Sequence, residues 1–200
     1  MVQLKEEDKK HIESTTGTFA VRGVIDHLKV IEKEHGKEMV DKIEKEMKDL
    51  GYGLDFSKLK MMDEVPTSFY IAFNVVEKEL LELDEEGMRD MGRKAAKLSF
   101  LLRFASQLLV SIRTLCDNAD KAWKKYYKNS GEVHLLEMNE KEGKIVFEVR
   151  DFVGHPVHCR FLEGYFGQIV SFVTGKEVDC KEESCHFQEG DKTHRFILTW

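Results

Sequence analysis

Hydrophobic positions recur at three- and four-residue spacing over about the first two thirds of the chain and alternate in the last third. Val21, Val24, Ile25, Leu28 and Ile31 keep the helical period, and His35-Gly36 breaks it before a second run of Met39, Val40, Ile43, Met47 and Leu50. Gly51 and Gly53 close that run, because glycine reaches the positive φ of a helix end without a Cβ clash. A third helix is expected after Pro66, capped by Thr67 or Ser68, and it carries Phe69, Ile71, Val75, Val76, Leu80 and Leu81. Residues 84–87 interrupt it. The pattern then stays helical from about 88 to 127, and 97–112 is apolar on more than one face, which places that stretch inside the molecule.

After Asn129-Ser130-Gly131 the period changes to two. Residues 133–138 and 145–149 alternate and are joined by the polar, glycine-containing turn NEKEG, the signature of a hairpin. A helix over about 157–174, stopped by Gly175, and strands over 176–182 and 194–200 complete a β-β-α-β-β order. That order predicts the α+β class: an antiparallel sheet with one helix across a face, and an N-terminal helical region packed on it. With no linker rich in Pro, Gly or Ser and no repeat, residues 1–200 read as one compact domain, helical over 1–130 and ββαββ over 131–200.

Composition narrows the function classes. At 42% hydrophobic and 34% charged residues, the 200-residue chain is globular. A net charge of -6, with both signs interleaved, argues against a nucleic-acid partner, which needs a basic face. The 98–116 run contains Arg103, Gln107 and Arg113, so a buried helix is expected rather than membrane insertion. The Met-Val-Gln-Leu-Lys start lacks the apolar core of a signal peptide, so a cytoplasmic location is expected and the cysteines read as thiols or metal ligands.

Cys116 stands alone in an apolar run and reads as a small core residue. The last 42 residues hold the sharper chemistry: Cys159 in the first turn of the last helix, Glu182 ending a strand, Cys185 in a loop and His194 opening the final strand. Zinc accepts such a tetrahedron of thiolate, imidazole and carboxylate. No CxxC pair is present, so on the residues alone a zinc site and a chance gathering of buried cysteines both stand.

The segments HCRFLEGYFGQIVSFVTGKEV at 158–178, KEESC at 181–185 and GDKTHRFIL at 190–198 resemble the C-terminal signature of the 4-vinyl reductase-type domain family. The signature's helix cysteine, helix glycines and strand-start glycine match Cys159, Gly164, Gly167 and Gly175; its Glu-x-x-Cys matches Glu182 and Cys185; its closing Gly-Asp-x-x-Cys-x-Phe matches Gly190, Asp191, His194 and Phe196. The likeness is strongest over 131–200. It implies one structural zinc per chain held by Cys159, Glu182, Cys185 and His194, with histidine where the family has cysteine and Cys180 as the alternate ligand. It also implies a fold related to haem nitric-oxide-binding domains and to subunits of the TRAPP particle, with helices over a sheet enclosing an apolar chamber.

Phe100, Phe104, Trp123, Phe161, Tyr165, Phe166 and Phe172 are the candidates to line that chamber, or else to fill an ordinary core. His155 and Arg160 are placed to orient a polar end of a ligand. The expected function is binding or sensing of a hydrophobic or aromatic small molecule, with a homodimer and a separate output protein, since no helix-turn-helix, P-loop or kinase signature is present. One rival is a reductase acting on a tetrapyrrole vinyl group, against which stand the missing G-x-G-x-x-G and iron–sulfur spacings. The other is a dimeric assembly module of TRAPP-like fold, joined through the apolar helices at 69–80 and 97–112. A nitric-oxide-type haem site would show Tyr-x-Ser-x-Arg, which the sequence lacks.

Overall fold

The structure, a computed structural model, describes residues 2–104, 111–187 and 193–200, with side chains for all of these except 100–104. In chain order its elements are α1 (Glu6–Ser14), β1 (Thr18–Ala20), α2 (Val21–His35), α3 (Lys37–Asp49), β2 (Glu64–Pro66), α4 (Thr67–Leu80), α5 (Glu85–Phe104), α6 (Ile112–Asp117), α7 (Ala119–Lys124), β3 (Tyr127–Lys128), β4 (Glu132–Asn139), β5 (Lys144–Arg150), α8 (Pro156–Thr174), β6 (Asp179–Ser184) and β7 (His194–Thr199). This is the α+β class that the change of period predicts.

The larger sheet has the order β4-β5-β7-β6 with every pair antiparallel. The β4–β5 hairpin forms at the expected turn, where Gly143 takes a φ of 65°. From β5 the chain crosses on α8 to the outer edge, and β7 returns between β5 and β6. α8 starts with Pro156, whose missing N–H costs nothing in a first turn, and stops at Gly175 in the left-handed region, φ 68°. β6 begins later than the alternation suggests, so Glu182 lies within the strand rather than at its end; a register shift follows between Glu182 and Ser184. Such irregularities bend an edge strand and re-aim its side chains.

A second sheet of order β2-β1-β3 pins the N-terminal region, pairing Phe19 with Val65 and with Tyr127. Its strands are two or three residues long, too short for a period to show. The helical pattern over 88–127 conceals a division: α5 is described as far as Phe104, and α6, opening after the extended Ser111, and α7 are separate short helices. α5 and α8 cross with reciprocal glycines at the contact. A Cβ on Gly164 would overlap the carbonyl of Arg89, and one on Gly92 would overlap that of Phe161. α4 is buried along its length, from Phe69 to Glu77 without a break. It is a core helix and offers no free apolar face of the kind the dimer expectation placed on it.

Candidate metal centre and apolar cavity

Cys159 points from the first turns of α8, Glu182 from β6, Cys185 from the loop after β6 and His194 from the start of β7, and their ligand atoms all lie within 4.8 Å of one another. His194 Nδ1 is 2.8 Å from Glu182 Oε1, 3.5 Å from Cys159 Sγ and 3.8 Å from Cys185 Sγ. Its other ring nitrogen, Nε2, faces the carbonyls of Phe152 at 3.1 Å and Val153 at 3.2 Å. Carbonyl oxygens only accept, so Nε2 carries a hydrogen, and Nδ1 is the ring atom turned to the cluster, where it donates to the Glu182 carboxylate a hydrogen that a cation would displace. This is the support a metal-ligating imidazole commonly has. Arg160 Nη2 donates to Glu182 Oε2 at 2.5 Å, which leaves Oε1 toward the other three.

The protonation pattern follows from the crowding. A hydrogen bond from the Cys159 thiol, outweighing burial, lowers Cys185 to about 6, while burial and that same contact push Cys159 well up. Burial disfavours the His194 cation, but Cys185 and Glu182 beside it raise it to about 9. Glu182 is held low by His194 against the opposing effect of burial. A cation at the centre would replace those shared protons. Two thiols, an imidazole and a carboxylate with one free oxygen make a donor set suited to zinc. Cys180 is not in the group: it is buried on β6 with its thiol pushed well up by burial, and a Cβ on Gly167 would touch it.

A cavity of about 430 Å³ lies along α8 and takes most of the rest of its described lining from α2, α4, α5, α6, α7, β1, β3, β4 and β5. Trp123, Phe161, Tyr165 and Phe166 line it as expected. Phe172 is half-buried and does not line it, and the side chains of Phe100 and Phe104 lie outside the described residues. His155 and Arg160 are also elsewhere: His155 Nε2 meets Asp8 at 3.0 Å while Nδ1 accepts from Val157 N–H, and Arg160 serves Glu182 and Glu163. The lining includes Phe19, Tyr70 and Tyr127, which sequence reasoning missed. Tyr70 lies on a helix buried without a break from Phe69 to Glu77, which shows no contrast between faces, and Tyr127 sits on a strand too short to recognise.

Two buried histidines stand behind those tyrosines. His27 Nδ1 meets the Tyr70 hydroxyl at 3.1 Å and its Nε2 meets Glu77 at 2.9 Å. His158 Nδ1 donates to Asn74 Oδ1 at 2.6 Å, so the hydrogen sits on Nδ1 and Nε2 accepts from the Tyr127 hydroxyl at 2.8 Å. Burial drives His158 down from 6.5 to about 3. Above about pH 6.5 neither state takes a proton there; below it only the unfolded chain does, so this stability is complete above pH 6.5 and is lost as pH falls toward about 3. Denaturant unfolding at pH 5 is expected to show about 2 kcal/mol less stability from this group than at pH 7. His158→Gln should flatten that difference, and equal slopes in the two proteins would exclude a buried neutral imidazole.

No protein-family model and no curated protein matches the sequence. Solved structures do match, over nearly the whole fold. An H-NOX protein from K. algicida in the unliganded ferrous state aligns with a TM-score of 0.63 at 13% identity, covering 90% of this chain and 95% of that one. One from S. oneidensis gives 0.65 at 8% identity, covering 90% and 94%. An H-NOX structure solved to probe haem distortion gives 0.65 at 14%, with the same coverage. The chain is thus similar to H-NOX domains in the arrangement of its backbone, at an identity that establishes the fold alone.

Proposed function

We propose that the chain is a ligand-binding domain of the 4-vinyl reductase type, which takes an apolar aromatic molecule in the cavity and one structural zinc at the corner of α8, β6 and β7. The observation that carries the reading is the 430 Å³ cavity walled by Trp123, Tyr127, Phe161 and Tyr165, of the size and apolar character usual for small-molecule sites. The zinc set Cys159, Glu182, Cys185 and His194 agrees with it, because a closed four-ligand site is structural and would fix the first turns of the helix that forms one cavity wall. A homodimer and a separate output protein belong to the same proposal.

The H-NOX likeness raises haem as an occupant, and the described residues offer it no histidine, cysteine or methionine on the lining. Haem iron needs an axial His, Cys, Met or Tyr. The histidines behind the lining, His27 and His158, have both ring nitrogens engaged. Tyr70 and Tyr127 are pushed well above the ordinary phenol range by burial, the opposite of what a phenolate ligand requires.

Native mass spectrometry of the purified chain is expected to give one zinc per chain and an apolar organic adduct. Trp123→Arg, which places a cation in the cavity, should lose the adduct and keep the zinc. A parent protein that carries no adduct and takes up no naphthylmethanol would end the ligand reading.

A further inference from the structure

The cavity interior is aromatic, yet two cations, Arg22 on α2 and Lys125 just beyond α7, lie on its lining, and among the described residues no carboxylate does. A partly buried guanidinium normally finds an acid or a carbonyl, because its enclosed N–H groups have lost water. Arg22 is half-buried, its Nε is closed off from solvent, and that Nε has no hydrogen-bond partner. The acid one helical turn on, Asp26, is turned elsewhere: Ser99 Oγ donates to it at 3.4 Å and Lys29 stands at 3.9 Å. Lys124 is neutralised by Asp120 at 2.9 Å and Glu132 at 3.1 Å, whereas its neighbour Lys125 is exposed and makes no ion pair among the described residues.

We infer that the ligand is an aromatic carboxylate, its ring system held by the aromatic wall and its anion received by Arg22, with Lys125 adding attraction at the rim. This rests on the reading that the cavity takes an apolar aromatic molecule and specifies the second half of that molecule. A neutral ligand would leave Arg22, which lines the cavity with no ion pair among the described residues, without a counter-charge; a carboxylate supplies one.

Calorimetric titration of the full chain with naphthoate and with naphthylmethanol, which shares the ring system and lacks the charge, tests the inference. Naphthoate is expected to bind at least about tenfold more tightly, the usual scale for a hydrogen bond between charged partners. Arg22→Gln should bring naphthoate to the level of naphthylmethanol and leave naphthylmethanol within about twofold. Lys125→Gln, at an exposed position where folding is not at stake, should weaken naphthoate alone by about threefold, as rim charges do. Equal affinities in the parent protein, or a naphthoate preference that survives both substitutions, would overturn the carboxylate assignment and leave the apolar-ligand reading standing. Binding of neither probe would overturn both.

Discussion

Cys185→Ser is expected to empty the proposed zinc site and to lower the melting temperature by roughly 10 °C. The site joins α8, β6, the loop after it and β7, so its loss unties four segments at once. Structural zinc is worth some 10–16 kcal/mol to peptides that are unfolded without it. Here the sheet and helices stand on a core of their own, so only part of that, about 3–5 kcal/mol, should reach the folding equilibrium. At roughly 2–4 °C per kcal/mol for a chain of this size, that gives the expected fall. Zinc content by native mass and melting followed by circular dichroism check it. Cys180→Ser and Cys116→Ser should keep their zinc, because Cys180 is outside the group and Cys116 lies on α6. A chelator should reproduce the fall in the parent protein and add nothing in Cys185→Ser. Equal zinc in the parent protein and Cys185→Ser would refute the ligand set.

The second large effect is expected from a single methyl group. At the α5–α8 crossing the atoms opposite Gly164 are the carbonyl, C and Cα of Arg89, all main chain, so no side chain can rotate away from an added Cβ. The same is true of Gly92, which faces the Phe161 carbonyl and the Tyr165 nitrogen. Gly164→Ala must therefore force the helices apart and disturb every contact along them. Overpacking usually costs about 1–3 kcal/mol, and a backbone-to-backbone clash belongs at or beyond the upper end. A loss of about 3 kcal/mol or more, or failure to fold, is expected; Gln168→Ala one turn further on α8 should stay within about 1 kcal/mol. Because Phe161 and Tyr165 line the cavity, Gly92→Ala should also weaken ligand binding in whatever fraction folds. An unaltered melting curve for Gly164→Ala would mean that the crossing is looser than described.

The hairpin, α8, β7, and the breaks at Gly36 and Gly51 were legible because long periodic runs and glycine stops are local signals. The small sheet was not. Pairs such as Phe19 with Tyr127 exist only because distant segments meet, and three residues of extended chain carry no period. The candidate ligands Cys159, Glu182, Cys185 and His194 could be named from residue chemistry and from the family likeness, yet the orientation of His194 could not. It is set by the carbonyls of Phe152 and Val153, which no side-chain pattern announces. The aromatic wall was half legible for a similar reason. Residues on α8 show their face through helical spacing, whereas Tyr70 lies on α4, whose burial on every side removes any contrast between faces. Arg22 was invisible as a site residue, since its significance is a missing partner.

α8 carries residues of both the candidate metal corner and the cavity. Cys159 near its start belongs to the cluster, and Phe161, Leu162 and Tyr165 in the next turn belong to the cavity wall. If zinc and a ligand bind as proposed, occupancy at either place would act on the order of the same helix, and the coupling would be reciprocal: any factor by which zinc changes the affinity for the ligand is the factor by which the ligand changes the affinity for zinc.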